Sequence, residues 1–375
     1  MTIVALPLRT NTKKDQNFNP FVSIIVPTYN EEKFIETRIK NLYDLDYPKE
    51  QYEIIVIDSG STDCTSQIMI NLIKKKGQNE PELKLLTQKN RRGKASAINL
   101  GKDHSNGDII LVTDANSVFI KEVLKEIMPH FKDPKIGAVG GRYCVANPEH
   151  SLTFSESFYW QLEYIMRKGE ALISSAITFH GEINAWRKDL VCIDTSMLSE
   201  DLDITLQIKR SGYKVEYEPN AVVYEPSAIT VRDQIKQRKR TSIGTILCII
   251  KHLSYFIPPH DIYSLFIFPS HRILPIFSPF ILLAIPILYI LVWNVKIIIL
   301  HIVFTLAVFC SVFFLLIFLN SKIIKNTPAF SLSISSIFKI AYYVLLNEYL
   351  IILAWKDLIF KRYTVLWDKA ESTRV

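Results

Sequence analysis

Apolar and polar positions follow a different pattern in the last part of the chain than before it. From Val22 to about Ala228, short apolar runs that end in turn-forming residues alternate with segments of helical spacing, such as Ile35, Ile39 and Leu42. The runs that predict strands are FVSIIVPTYN, YEIIVIDSGSTD, ELKLLTQ, GDIILVTDAN and AVGGRYCV, followed by two short ones, YKVEYEP and AVVYEP. This alternation predicts an α/β domain with a mostly parallel sheet, in which ligands bind at the carboxyl ends of strands.

The last part of the chain is strongly apolar. Residues 273–293 and 297–319 contain no Asp, Glu, Lys or Arg, and each run has about the 20 residues that a bilayer crossing needs. We expect residues 273–319 to form a transmembrane hairpin. Residues 330–355 are less apolar, because they include Lys339 and Glu348. This segment is expected to be a third span, a re-entrant segment or an interfacial helix.

The placement of basic residues predicts the orientation in the membrane. Lysines and arginines follow the second and third apolar segments, and an even number of spans keeps both basic stretches on the cytosolic side with the α/β domain. We therefore expect a multi-pass protein of the cell membrane whose α/β domain lies in the cytosol. The predicted parts are an N-terminal tail (1–20), a cytosolic domain (21–250), an interfacial linker (251–272), the hairpin (273–319), the third segment (330–355) and a C-terminal tail (356–375).

Composition narrows the choice of partners. The chain of 375 residues has a formal net charge of +7, yet it contains no recognised basic-aromatic module of a nucleic-acid binder. A basic surface facing anionic lipid accounts for the charge better, so membrane lipids are expected partners and nucleic acid is not. The five cysteines are scattered and have no C-x-x-C spacing, which favours neither a disulfide framework nor a zinc site.

Carboxylates follow several of the predicted strands. Asp58 comes after IIVI, Asp114 comes after IILVT, and Glu200 and Asp201 open a later helix. A single acid at a strand end is often a turn or cap residue, but several on one parallel sheet point into the same crevice. Such a crevice suits a divalent cation that bridges a diphosphate, and Asp114 with Asn116 offers two oxygen ligands to it.

Two basic segments could bind the phosphates. Lys94 follows two arginines and a glycine just before a predicted helix, where phosphate binds favourably, although a solvated turn has the same composition. The segment QIKQRKRTSIG places Gln237, Arg238 and Arg240 near the predicted membrane, where a basic belt on lipid is the alternative interpretation.

Taken together, six motifs in order resemble one family. PTYNE, DSGSTD, GKASAIN, TDAN, SEDLDITLQIKRSGYKVEYEP and QRKRT are similar to the motifs of family 2 glycosyltransferases, the inverting GT-A type, in the membrane-attached branch that includes processive synthases. The resemblance extends from Val22 to about Gly244, and the apolar segments downstream match the same branch.

The resemblance implies a role for each motif. Asp58 would recognise the nucleotide base, with Pro27, Tyr29 and Glu31 lining the same pocket and Lys94 near the base or diphosphate. Asp114 resembles the first acid of the D-x-D motif, which binds the metal and the sugar nucleotide.

The remaining motifs would act at the acceptor side. Asp201 resembles the general base that removes the proton of the attacking hydroxyl. Glu200 would orient it or contact the acceptor, and the glycine-rich segment TFHGEINAWRKD would contribute Gly181. Gln237, Arg238 and Arg240 match the Q-x-x-R-W stretch that holds the diphosphate and the acceptor end. We interpret the third acid of this helix, Asp203, as a cap.

Two departures from the family pattern affect the prediction. The second acid of D-x-D is Asn116, and the tryptophan of Q-x-x-R-W is Thr241, which favours single transfer or a short glycan over processive synthesis. We expect a membrane-anchored inverting glycosyltransferase that uses Mg2+ or Mn2+ and a nucleotide-diphosphate sugar, chiefly a UDP-sugar, with a glycan or lipid-linked acceptor. The alternatives are a polyprenyl-phosphate glycosyltransferase and a non-catalytic membrane docking subunit of the same fold.

Overall fold

The computed structural model describes residues 18–147, 151–291, 301, 302, 304, 305, 308 and 334–365. The described chain divides into two compact units. The first unit runs to Ile273 and resumes at Leu353, and the second comprises Leu274–Ile352.

The first unit is built on a sheet whose strands occur in the order β3-β2-β1-β4-β7-β6-β8-β5. Strands β1 to β4 are parallel neighbours, β7 is antiparallel to both β4 and β6, and β8 is parallel to β6, so the predicted mostly parallel sheet is confirmed. The strands are β1 (Val22–Thr28), β2 (Tyr52–Asp58), β3 (Glu82–Thr87), β4 (Ile109–Val112), β5 (Val118–Phe119), β6 (Ile136–Val145), β7 (Asn184–Arg187) and β8 (Lys214–Glu225).

Two features of the sheet differ from the prediction. The runs YKVEYEP and AVVYEP form one strand, β8, instead of two short ones. It continues through Pro219 because its register against β6 shifts between Gly141 and Arg142, where the extra residues are absorbed. The short strands β5 and β7 were not predicted from the sequence, because runs of two and four residues carry too little periodicity.

Helices follow most strands and lead the chain back across the sheet. They are α1 (Ile35–Tyr43), α2 (Thr65–Lys75), α3 (Lys94–Asp103), α4 (Val123–Ile127), α5 (Ser151–Ile173), α6 (Glu200–Arg210), α7 (Val231–Lys251), α8 (Leu253–Phe256), α9 (Leu274–Leu291) and α10 (Ile334–Ile359). The apolar side of α1 is packed as its spacing predicts, since Ile35, Ile39 and Leu42 are fully buried.

The core lies on both faces of the sheet. Ile24 and Val26 of β1 belong to one buried cluster, whereas Ile25 between them belongs to a second cluster on the other face. Alternate strand residues point to opposite faces, so a continuous apolar run is what a sheet covered on both sides requires.

The segment after α7 is packed into the first unit. Residues 251–272, assigned from the sequence to an interfacial linker, contribute Tyr255, Phe256, Tyr263 and Phe268 to a buried cluster of that unit. The long, apolar helix α9 follows. Among the described residues, Tyr263–Tyr289 is the stretch that could cross a membrane by length and composition.

The other predicted membrane segments are described in part. Most of residues 297–319, the predicted second span, lies outside the described residues. Residues 330–333 of the predicted third segment lie outside the described residues, and helix α10 covers the rest of it; its C-terminal part is buried at Leu350 and Ala354.

Candidate active site

The loops after β1 and β2 meet at the carboxyl edge of the sheet. The main-chain N–H of Asn30 donates to the Ser61 hydroxyl at 2.9 Å, and the side chain of Asn30 accepts from the N–H of Thr62 at 2.8 Å. Asn30 has a φ of 53°, a left-handed conformation that asparagine tolerates. PTYNE and DSGSTD, separate in sequence, therefore form one surface.

Asp58 lies at the base of this surface. Its carboxylate is buried and accepts from the N–H of Ser61 at 2.9 Å and from the Ser66 hydroxyl, so its direction is fixed by the loop that it begins. Pro27 is half-buried at the end of β1, and Glu31 is buried just beyond it.

Arg91 covers the neighbouring tyrosine. Its guanidinium carbon lies 4.2 Å from the centre of the Tyr29 ring, within cation–π distance. Because Arg91 belongs to the segment before α3, this contact brings the predicted phosphate-binding segment to the predicted nucleoside pocket. The five residues Pro27, Tyr29, Glu31, Asp58 and Arg91 thus belong to one region of the carboxyl edge.

Lys94 joins three further segments at the start of α3. Its Nζ lies 2.7 Å from Oδ1 of Asp114, 3.5 Å from Oε1 of Glu200 and 3.5 Å from the main-chain oxygen of Gly181. A Cβ at Gly181 would lie 3.1 Å from the same Nζ, so a glycine gives the lysine room there. Burial alone would lower the pKa of Lys94, but Asp114, Glu200 and Glu182 together raise it above its ordinary value.

An acidic cluster lies beside this lysine. Carboxylate oxygens of Asp114, Glu182 and Glu225 all lie within 4.8 Å of one another. Asn116, predicted to be the second metal ligand, donates its side-chain N–H to Oε1 of Glu225 at 2.8 Å. We did not predict Glu182 or Glu225. The available signals were that Glu182 follows Gly181 in the glycine-rich segment and that Glu225 ends the alternation of β8.

Burial and mutual repulsion raise the pKa of two members of this cluster. Burial and the nearby charge of Asp114 raise the pKa of Glu182 to about 7. Burial, then Glu182 and Asp114, raise the pKa of Glu225 well above its ordinary value. Such carboxylates resist ionising together unless a cation lies between them.

Asp201 opens α6 next to Glu200. Burial and the charge of Glu200 raise the pKa of Asp201 to about 6, while Lys94 acts in the opposite direction. A carboxylate with a raised pKa is a stronger base than an ordinary aspartate and is ionised at neutral pH.

Asp203, only two residues further, has a structural role. Its carboxylate lies 2.7 Å from Nε2 of His252 and 2.9 Å from Nζ of Lys251, so it ties α6 to the end of α7. The interpretation of Asp203 as a helix cap was wrong, because its carboxylate bonds these side chains instead of the N–H groups of the first turn.

Helix α7 brings one predicted arginine to the acids. Burial lowers the pKa of Arg240, whereas the charges of Glu200, Asp201 and Asp114 act to raise it. The guanidinium carbon of Arg238 lies 6.0 Å from the centre of the Tyr159 ring. Gln237 is half-buried on the same helix, and its main-chain oxygen accepts a hydrogen bond from the Thr241 hydroxyl.

Comparisons with known proteins identify the class. Residues 23–192 match the model of "Glycosyl transferase family 2", and residues 109–355 match that of "Glycosyl transferase family group 2". The chain belongs to glycosyltransferase family 2, as the resemblance of its motifs predicted, and it has the α/β fold of GT-A type.

Individual relatives agree with this assignment. The chain is 30% identical over 247 residues to the probable glycosyltransferase YdaM of Bacillus subtilis (strain 168), covering 63% of this chain and 58% of the relative. It is also 30% identical over 242 residues to the poly-beta-1,6-N-acetyl-D-glucosamine synthase of Staphylococcus aureus (strain COL), covering 62% and 57%. These matches span less than two thirds of either relative's length.

A solved structure shares the fold over nearly the whole chain. The mannosyltransferase PcManGT from Pyrobaculum calidifontis, in complex with GDP-Man and Mn2+, superposes with a TM-score of 0.68 at 22% identity, covering 96% of this chain and 93% of that one.

Proposed function

We propose that the chain is a membrane-anchored inverting glycosyltransferase that transfers a sugar from a nucleotide-diphosphate donor to a hydroxyl of a glycan or lipid-linked acceptor. The observation that carries the proposal is the contact of Lys94 with Asp114 and Glu200. It brings together a lysine suited to bind phosphate, an acid suited to bind a metal ion, and the start of the helix that carries Asp201.

Two regions would divide the work. Asp58, Pro27, Tyr29 and Glu31 would hold the nucleoside, with Arg91 over the tyrosine. Asp201 would take the proton of the acceptor hydroxyl as its oxygen attacks the anomeric carbon. Its raised pKa supports that role, since a base with a pKa of about 6 is ionised at neutral pH and still takes a proton readily.

The leaving diphosphate would be held by charge. Lys94 and Arg240 face the acids from α3 and α7, where their positive charges can stabilise a departing anion. Gln237 and Arg238 would act further towards the acceptor end, and Gly181 would leave room for the acceptor beside Lys94.

The acidic cluster fits a divalent cation. Three carboxylates within 4.8 Å form a hard oxygen donor set, which Mg2+ and Mn2+ prefer. We propose Asp114, Glu182 and Glu225 as the ligands, with Asn116 holding Glu225 in place through its 2.8 Å hydrogen bond. A bound cation would neutralise charge on the diphosphate.

The relatives narrow the donor. One relative is a poly-beta-1,6-N-acetyl-D-glucosamine synthase and the fold neighbour holds GDP-Man, so UDP-GlcNAc and GDP-mannose are the first donors to test. We keep UDP-sugars as the leading class.

The apolar helix supports membrane anchoring. Within the second unit, α9 exposes Leu282, Leu283, Ile285, Ile287 and Leu288, each by more than half. A continuous apolar surface of this kind is costly in water and favourable in a bilayer. We propose that the membrane part begins after Ile273, that residues 297–319 complete a hairpin, and that residues 21–250 form the catalytic domain in the cytosol.

The test is a panel of UDP-, GDP- and dTDP-sugars incubated with the membrane-bound protein, with and without EDTA. We expect metal-dependent nucleotide release with one donor class. Asp201→Asn should lower transfer by about 10²- to 10⁴-fold, as removal of a general base does, while donor binding persists. The exposed Glu122, changed to Gln, is the control and should transfer at the wild-type rate.

Three outcomes would overturn parts of the proposal. No release with any donor would exclude catalysis. Full transfer by Asp201→Asn would exclude Asp201 as the base. Preferential transfer to polyprenyl phosphate over glycan hydroxyls would favour the alternative acceptor, which needs no base.

A further inference from the structure

A second group of charged side chains lies buried in the first unit, on α5 and on the turn before α9. Glu163, Arg167 and Glu170 occupy one side of α5 at a spacing of four and three residues, and each is 2% exposed. His271 and Arg272 face them from Pro269–Ile273. We call these five residues the buried ion network.

His271 is held between both acids of this network. Its Nδ1 lies 2.5 Å from Oε1 of Glu170, and its Nε2 lies 2.9 Å from Oε1 of Glu163. A carboxylate oxygen lies at each ring nitrogen, and although burial lowers the pKa of His271, its hydrogen bonds to Glu163 and Glu170 raise it above the ordinary value, which favours the ring that donates through both nitrogens. Burial would raise the pKa of Glu163, but Arg167, Arg272 and His271 hold it well below its ordinary value, which agrees with an ionised acid.

The other atoms of the network hold the main chain that leads into the candidate active site. Glu170 accepts the N–H of Ile177 through Oε2 at 3.1 Å, and Arg167 donates to the main-chain oxygen of Thr178 at 2.9 Å. After Phe179 the chain continues with His180, Gly181 and Glu182. The start of the segment that carries Gly181 and Glu182 is thus held by charge-assisted hydrogen bonds. Such bonds are stronger than those between neutral groups.

The same segment is also tied to the helix of the proposed base. The hydroxyl of Thr178 lies 3.2 Å from that of Thr205, which donates to the main-chain oxygen of Asp201 at 2.9 Å. A displacement of Thr178 is therefore transmitted to α6 as well as to Gly181.

We propose that His271 is a positioning residue: through Glu163 and Glu170 it fixes the segment from Ile177 to Glu182 on the acceptor side of the site. This proposal rests on the proposed function. The proposal also gives residues 269–273, just before the apolar helix, a role in the active site. The buried ion network would then hold both the start of the proposed membrane anchor and the acceptor side of the site.

The test compares His271→Gln with His130→Gln in the full-length protein in detergent. His130 is the matched control, because its Nε2 lies 2.7 Å from a buried glutamate, Glu218, in a different part of the first unit. Hydrogen exchange is measured for the amides of residues 176–184 and of residues 58–66. We expect His271→Gln to speed exchange in the first segment by about ten-fold, the equivalent of one lost charge-assisted hydrogen bond, and to leave the second unchanged.

A kinetic measurement separates positioning from general loss of structure. With membranes that carry the native acceptor and labelled UDP-GlcNAc or GDP-mannose, His271→Gln should lower transfer by about ten-fold relative to donor hydrolysis, while the KM of the donor stays at the wild-type value. His130→Gln should change neither quantity. If Gln at 271 prevents folding, His271→Lys, which keeps the charge but reaches one acid at a time, is used for both measurements.

The outcomes separate this proposal from the proposed function. Unchanged exchange at 176–184, or equal losses of donor binding and transfer, would overturn the role of His271. If the wild-type protein uses no nucleotide sugar, the proposed function fails, and faster exchange at 176–184 would then reduce His271 to a structural support.

Discussion

Two groups of charged side chains lie in the first unit, one mostly half-buried and one buried, and their charges are balanced differently. Around Lys94 and Arg240, five carboxylates gather: Asp114, Glu182, Glu200, Asp201 and Glu225. In the buried ion network, Glu163 and Glu170 each have cationic or main-chain donors on both oxygens. The first group has an excess of negative charge, and burial raises the pKa of several of its acids, whereas the second holds the pKa of Glu163 low.

The difference indicates which group works on a ligand. A network whose charges are satisfied by the protein fixes the chain in one arrangement. A group with surplus acid is destabilising until a cation or a positively charged transition state arrives, and such strained sites are where function is concentrated. Substitutions in the two groups should therefore change the stability of the protein in opposite directions.

The largest effect on stability should come from breaking the buried ion network. Arg167→Met removes the donors to Glu163 and to the Thr178 main-chain oxygen, so it breaks a buried ion pair and leaves two buried acceptors without these bonds. We expect the free energy of unfolding to fall by about 3–5 kcal/mol, measured by denaturant titration in detergent. The control is Lys40→Met, which breaks an exposed pair with Glu36 and should cost less than about 1 kcal/mol. A loss as small as that of the control would mean that the network contributes little.

The opposite sign is expected in the acidic cluster. Folding raises the pKa of Glu182 from 4.5 to about 7, so the folded state binds this proton more tightly than the unfolded chain. The stabilising contribution is complete below pH 4.5 and is lost as the pH rises through 7.

Glu182→Gln removes this pH-dependent loss. In EDTA at pH 8, it should therefore stabilise the protein by up to about 3 kcal/mol, and the difference from wild type should nearly disappear at pH 4.5. Thermal unfolding at the two pH values measures it. A destabilised variant at pH 8 would show that Glu182 is compensated in the metal-free protein, as the acids of the buried ion network are.

Sequence reasoning reached the parts of the site that lie at the ends of long strands. Asp58 ends β2 and Asp114 follows β4, and the apolar runs of both strands are continuous because both faces are covered. Lys94 begins α3, and its meeting with Asp114 follows from the parallel order of β1, β2 and β4. The position of a residue at the carboxyl end of a predicted parallel strand is thus enough to predict that it lies at the same edge of the sheet as the others.

The rest depends on pairings that leave little trace in periodicity. Glu182 precedes β7, a strand of four residues that runs antiparallel between β4 and β6. His271 meets Glu170 across a separation of 101 residues. The spacing of Glu163, Arg167 and Glu170 on one side of α5 was a usable signal, because charges at such positions of an otherwise packed face require partners.

The smallest expected effect is a shift in the pH dependence of kcat when Glu200 is changed. It links the negative charge around Asp201 directly to catalysis. Burial and then Glu200 raise the pKa of Asp201 to about 6. If Asp201 is the base, transfer requires its ionised form, so kcat should fall below about pH 6, well above the ordinary aspartate value of 3.8. Glu200→Gln removes one source of the repulsion and should move this acid limb lower by about half a pH unit to one unit.

The measurement is the pH profile of kcat for the wild type, Glu200→Gln and the exposed control Glu122→Gln. The control should keep the wild-type limb, because Glu122 lies at the start of α4, away from the acids. A limb that stays in place in Glu200→Gln would mean that the titrating group is not Asp201. A limb that moves down, with the buried ion network intact, would show that the charge of Glu200 beside Asp201 helps to set the strength of the base.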